Sequence, residues 1–235
     1  MTSLSPSKRT WSWNIVRTYL VERESLFERI REGEELPSLL AHMALTSALF
    51  SALYGLAVGV YAGGWQILYD VVKFPWVLLA TLALCVLALY MLNSLVGARL
   101  TFLQTAAVVL SAILVTSTLL LALTPPLAFI MLTSLHEYRL VVFLNDIVIA
   151  VAGAGGVSFA FQATAAVHRD PLVRARCRRV LWAWMVLYGL VGTQMLWLFR
   201  PFFRQTDVFI RPLGEGGTAL EAFGRLVLAI LKSLI

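Results

Sequence analysis

Charge is what this chain has least of. Asp, Glu, Lys and Arg together make up 14% of 235 residues, while 60% are hydrophobic; an ordinary soluble domain carries about 25% charged and about 45–50% apolar residues. So large an apolar excess cannot be hidden in one soluble core, and so little charge excludes a disordered chain. Cysteine is nearly absent too. Cys85 lies in an apolar run and Cys177 in an arginine cluster, so no disulfide framework is expected. The three histidines, His42, His136 and His168, are far apart, and the sequence holds no HExxH, no CxxC, no nucleophile elbow and no paired carboxylates. No catalytic residue, metal site or cofactor is nominated, and the expectation is a protein that is not an enzyme.

What is present is a series of long apolar runs, each near the roughly 20 residues needed to cross a bilayer. Five are expected to span, at 39–62, 75–96, 101–123, 140–163 and 180–199. Gly63 and Gly64 close the first. A joint holding Asp70 and Lys73 leads to Pro75, read as a first-turn residue of the second. Gly97-Ala98-Arg99 makes a tight turn into the third, which Thr124-Pro125-Pro126 is expected to end. The stretch 127–138 is too short to cross alone and reads as an interfacial or re-entrant piece.

Both ends read as amphipathic helices. Val16, Leu20, Phe27 and Ile30 recur at helical spacing among charges in 11–35, behind Trp11 and Trp13, which suits a helix on the membrane surface or against a partner. In 218–235, Leu220, Phe223, Val227, Ile230, Leu231 and Leu234 share a face, with a capping box of Thr218 and Glu221. The fold class is therefore an all-α integral membrane protein with five transmembrane helices and an amphipathic interfacial helix at each end. Its parts are an N-terminal segment 1–38, a five-helix domain 39–199 and a tail 200–235. Twelve of the 19 Lys and Arg residues fall on the N-terminal side, which predicts a cytoplasmic N-terminus by the positive-inside rule, in a bacterial inner membrane or an endomembrane.

Few polar groups lie within the spans. Asp146, about 10 Å into the fourth, is the candidate for ion or proton coupling, since an intramembrane acid is costly unless it faces a wet cavity or a partner. The others form two layers: His42, Asn93, Gln104 and Gln162 on the N-terminal side, and Tyr54, Thr81, Asp146 and Gln194 on the far side. Two separate layers suit interhelical hydrogen bonds better than a pore, and Asn93 with Gln104 is the expected bond across the turn. Small residues mark two packing stripes, Ser51, Gly55, Gly59 and Gly63 in the first span, and Ala152, Gly156 and Ala160 in the fourth. These stripes are expected to pack on each other.

Arg174, Arg176, Arg178 and Arg179 form a basic cluster before the fifth span, and Arg200 and Arg204 follow that span among aromatic residues. Both groups are candidates for contact with anionic lipid or an acidic partner. Nucleic acid is not expected, since no aromatics interleave with the basic cluster.

The run Leu92-Asn93-Ser94-Leu95-Val96-Gly97-Ala98-Arg99-Leu100-Thr101-Phe102-Leu103-Gln104-Thr105 resembles a joint of the Yip-type family of five-span membrane proteins, in which a glycine turn leads into a Thr-Phe-x-Gln helix start. Pro125 lies where that family places a proline, and Tyr54-Gly55 matches part of its Asp-Leu-Tyr-Gly-Pro motif, without the Asp and Pro. The resemblance covers about residues 50–130 and implies five spans, a cytoplasmic N-terminus and a role in organising membranes or partners. The leading expectation is a scaffold, accessory subunit or assembly factor that acts by helix packing with other membrane proteins, a homo-oligomer and membrane lipids. The alternative is a small homo-oligomeric channel or proton- or cation-coupled transporter using Asp146.

Overall fold

The computed structural model describes residues 23–133 and 138–199, without the side chains of 138 and 139. Within them the chain forms α1 (Arg23–Glu32), α2 (Leu36–Ala62), α3 (Gln66–Leu95), α4 (Phe102–Thr133), α5 (Tyr138–Val167) and α6 (Pro171–Phe199). Helices α2 to α6 are all long and apolar enough to cross a membrane. The segments 11–22 and 218–235, and with them Arg200 and Arg204, lie outside the described residues.

Joints fall where the backbone demands glycine or a cap. Gly63 (φ 75°) and Gly64 (φ 60°) turn α2 into α3, and Gly97 (φ 86°) turns α3 toward α4. Thr101 and Gln104 form a reciprocal capping box at the start of α4: the Thr101 N–H donates to Gln104 Oε1 at 2.8 Å, and the Gln104 N–H donates to Thr101 Oγ1 at 3.2 Å. The Thr-Phe-x-Gln pattern thus has a local physical cause. Asp170 Oδ1 accepts from the Leu172 N–H at 2.8 Å before Pro171 opens α6.

Two boundaries differ from the sequence reading, both at proline. Helix α3 begins at Gln66, so Pro75 lies inside it, and Asp70 and Lys73 belong to its first turns rather than to a joint. Helix α4 runs straight through Pro125 and Pro126 to Thr133, so 127–133 is its last two turns and not a separate interfacial piece. In hydrocarbon a broken helix would strand more backbone groups than a proline does, so helices continue through proline where neighbours support them. The Thr124 hydroxyl donates to the Leu120 carbonyl at 2.9 Å beside the two prolines. Leu127 and Met131 are buried beyond it, in one cluster with Tyr54, Val58, Phe74, Val141 and Ala152.

Helix α2 packs on α3 and α4, α4 packs on α5, and α6 leans on α3. A larger apolar cluster fills the end of the bundle that carries α1. There Leu26, Phe27 and Ile30 seat α1 against α4 and α5. Arg23 Nη1 donates to Gln162 Oε1 at 3.2 Å, and the Arg23 guanidinium lies 5.7 Å from the Phe159 ring centroid. The N-terminal helix is thus joined to the transmembrane domain by specific contacts of its own chain.

Candidate functional site

The outward side of α5 carries the most unusual arrangement. Asp146 is exposed there, about eight residues or roughly 12 Å from the start of a 30-residue helix. Ala150, Ala154 and Ser158 follow at intervals of four and are exposed as well. Phe143, Ile147 and Val151 flank this stripe and are 61%, 42% and 54% exposed, which makes it the side that meets hydrocarbon or a partner. The inward neighbour Asn145 is 3% exposed, and its Oδ1 accepts the Tyr54 hydroxyl at 2.6 Å. A hydrogen bond between two buried side chains therefore joins α2 to α5 beside the exposed carboxylate.

The two small-residue stripes do pack, though not on each other. Gly55 faces the backbone of Asp70 and the Phe74 ring, and Gly59 faces the backbone of Gln66 and Ile67, so the α2 stripe receives α3. Ser51 is buried with them and bonds the Ser47 carbonyl at 2.7 Å, whereas Gly63 ends the helix and makes the turn. The α5 stripe receives α4: Gly156 meets the Ala112 carbonyl and the Thr116 side chain, between the buried Ala152 and Ala160. Short loops explain the pairing, since consecutive helices are antiparallel neighbours.

Asp70 and Lys73 are each 0% exposed, and Gln66 is 1% exposed. Gln66 Nε2 donates to Asp70 Oδ1 at 2.7 Å. Lys73 Nζ lies 5.6 Å from the Tyr69 ring centroid. These buried charges are the main site feature the sequence reading placed wrongly. Asp70 and Lys73 stand one helical turn apart, but the expected proline boundary assigned them to a loop.

The N-terminal polar layer exists with other partners. Gln104 Nε2 reaches across to the Arg31 carbonyl at 2.9 Å and so ties α4 to α1. It does not bond Asn93, whose Oδ1 is buried and has no hydrogen-bond partner among the described residues. Beside Asn93, the Cys177 thiol lies 3.4 Å from His168 Nε2, and His168 Nδ1 lies 2.8 Å from the Thr164 carbonyl. Both cysteines are free and buried, in line with the absence of a disulfide framework. Arg174 is held by two hydrogen bonds to the His168 carbonyl, at 2.9 and 3.1 Å, and closes the end of α5. Arg176, Arg178 and Arg179 are exposed on the first turns of α6.

A cavity of about 320 Å³ lies at mid-span among α3, α4, α5 and α6. Among the described residues its wall is hydrocarbon with a few hydroxyls and no charged residue, and Asp146 is not part of it. No family model matches the chain, and no curated protein or solved structure is significantly similar to it.

Proposed function

We propose that the protein is a non-enzymatic membrane scaffold or accessory subunit, and that the outward face of α5 docks a spanning helix of another membrane protein. The exposed stripe Asp146, Ala150, Ala154 and Ser158 carries this reading. Small residues at intervals of four let two helix backbones approach closely. A carboxylate facing lipid disfavours insertion by about 2.5–3.5 kcal/mol at a helix centre, and intramembrane acids therefore face a partner or a cavity. A partner helix with a cationic or hydroxyl donor opposite Asp146 satisfies both features. A two-fold dimer through this stripe would set Asp146 against its own copy, and like charges in contact disfavour association. Only 11% of the apolar window of α6 and 22% of that of α5 is buried, against 56% for α4, so the α5–α6 side has the surface to receive such a helix.

A photocrosslinking residue at Ala150, compared with one at the exposed Leu84 on α3, tests this in native membranes. One protein species is expected to crosslink from position 150 and none from 84. Asp146→Leu should abolish the product, while Asp146→Asn, which keeps an acceptor, should retain most of it. Lipid adducts alone at both positions, or a second copy of this chain at 150, would overturn the reading.

The cytoplasmic N-terminus belongs to the same proposal. Arg29, Arg31, Arg99 and the arginines of 169–179 gather at one end of the bundle, which supports it through the positive-inside rule. Cys177 is 0% exposed and a poor reporter, so the check is Arg176→Cys, which an impermeant thiol reagent is expected to label only from the cytoplasmic side. Labelling from outside would reverse the orientation.

A further inference from the structure

From the exposed side of α6 we infer a binding site for one anionic phospholipid, in the leaflet at the end of the bundle that carries α1. Three arginines take the phosphate headgroup, and the apolar stripe that continues from them takes an acyl chain. The site uses neither Asp146 nor the outward stripe of α5, so it stands independently of the docking face.

Two observations on successive turns of α6 define the ligand. The first is uncompensated charge. Residues 168–179 hold five arginines against one acid. Other arginines at this end of the bundle are engaged: Arg23 bonds Gln162, Arg29 pairs with Glu35 at 3.6 Å, Arg31 pairs with Glu28 at 3.0 Å, and Arg174 bonds the His168 carbonyl. Asp170, the one acid of the segment, accepts the Leu172 N–H. Arg176, Arg178 and Arg179 differ. They are exposed, and they have no hydrogen bond or ion pair among the described residues. The planar fork of donors on a guanidinium matches the oxygens of a phosphate, so an anionic headgroup is the counter-charge suited to these three.

The second observation is what continues from the charge. Arg178, Trp182, Val186 and Leu190 stand at intervals of four along α6, and all four are exposed. Charge and hydrocarbon therefore share one side of the helix. By helical rise the stripe runs about 18 Å, close to the roughly 15 Å of hydrocarbon in one leaflet. The Trp182 ring rests on Phe161 of α5, with ring centroids 5.2 Å apart, and sets an aromatic edge one turn below Arg178. Aromatic rings favour that level, where headgroup meets chain. An acidic protein segment would satisfy the arginines and leave the stripe bare, and a lipid of no net charge would cover the stripe and leave the positive charge in excess. A phospholipid of net negative charge meets both.

The test uses the full chain in phosphatidylcholine nanodiscs and phosphatidylglycerol with a diazirine in one acyl chain. The probe is expected to label 180–199 saturably and to be competed by unlabelled phosphatidylglycerol, but not by added phosphatidylcholine. Glycerol phosphate, which has the anion without the chains, and poly-glutamate should not compete at equal concentration. Each arginine near the surface contributes about fivefold, so changing Arg176, Arg178 and Arg179 together to Gln should weaken the probe between about tenfold and a hundredfold. Changing the three to Lys, which keeps the charge, should retain most of the affinity. Arg29→Gln with Arg31→Gln, at arginines already paired, should leave labelling unchanged. Equal labelling by a phosphatidylcholine probe would overturn the site, as would a triple Gln variant of native helicity that labels as before. A loss as large in the Arg29 and Arg31 variant would overturn it in favour of general surface charge, and competition by glycerol phosphate or poly-glutamate would overturn the assignment to a lipid.

Discussion

Replacement of Gly55 by alanine is expected to destabilise the bundle by about 3 kcal/mol, the upper range for overpacking a close contact. A Cβ at this position would lie 2.9 Å from the Asp70 carbonyl carbon and 3.0 Å from Phe74 Cδ2, with the Asp70 carbonyl oxygen nearer still. The obstacle is the backbone of α3, which no rotamer change can move, so α2 and α3 must separate along the whole contact. Gly59→Ala should behave alike, because its Cβ would lie 2.7 Å from Ile67 Cα. Gly189→Ala provides the control. Nothing lies within 4 Å of its Cβ, and the change should stabilise α6 by about 0.5–1 kcal/mol through helix propensity alone. Unfolding of the three variants in mixed micelles by titration with a denaturing detergent reads the difference. Gly55→Ala as stable as Gly189→Ala would refute the close α2–α3 approach.

Spacing made the glycine stripe of α2 visible, because small residues at intervals of four have a direct meaning for helix contact. Which helix fills the stripe was not visible, since a stripe specifies close approach and not the partner; the two-residue glycine turn decides that by folding α3 back on α2. The five spans were legible from long apolar runs for the same reason, that few other structures tolerate them. Prolines misled the boundaries. Pro75 and the Pro125-Pro126 pair carry stop signals whose meaning is calibrated on helices in water, whereas in hydrocarbon a helix that stops leaves backbone groups with no solvent to bond them. Asp146 stood out as an acid within an apolar run, but its direction did not, because Asn145 and Asp146 are adjacent and only the packing of α5 decides which turns inward. Thr81 was legible only as one of the polar groups of the far-side layer. Its hydroxyl has no hydrogen-bond partner among the described residues, and a missing bond leaves no mark on sequence.

The buried charges at the start of α3 carry the largest expected loss. Asp70 and Lys73 are both 0% exposed, and their charges interact across one helical turn. Asp70 has one oxygen satisfied by Gln66 Nε2, while its other oxygen, Oδ2, has no hydrogen-bond donor among the described residues, so the Gln66 hydrogen bond comes first and the lysine charge second in offsetting its burial. Lys73→Met keeps the length of the side chain and removes that charge, leaving a carboxylate in a site closed to water. Loss of one partner from a buried pair destabilises by about 3–5 kcal/mol, whereas replacement of both by neutral groups is often close to neutral. Lys73→Met is therefore expected to lower stability by that amount, and Asp70→Asn added to it should recover at least half, since the amide retains an acceptor for Gln66. The double-mutant cycle, measured by detergent titration with helicity as the readout, isolates the coupling between the two sites from the other contacts of Lys73. A double variant no more stable than Lys73→Met would show that the lysine acts through those other contacts. A near-native Lys73→Met would show that Asp70 does not bear a charge in the folded bundle. If recovery is seen, the pair is an element of the α2–α3 joint: the charges hold the start of α3 in the position from which Gly55 and Gly59 receive it.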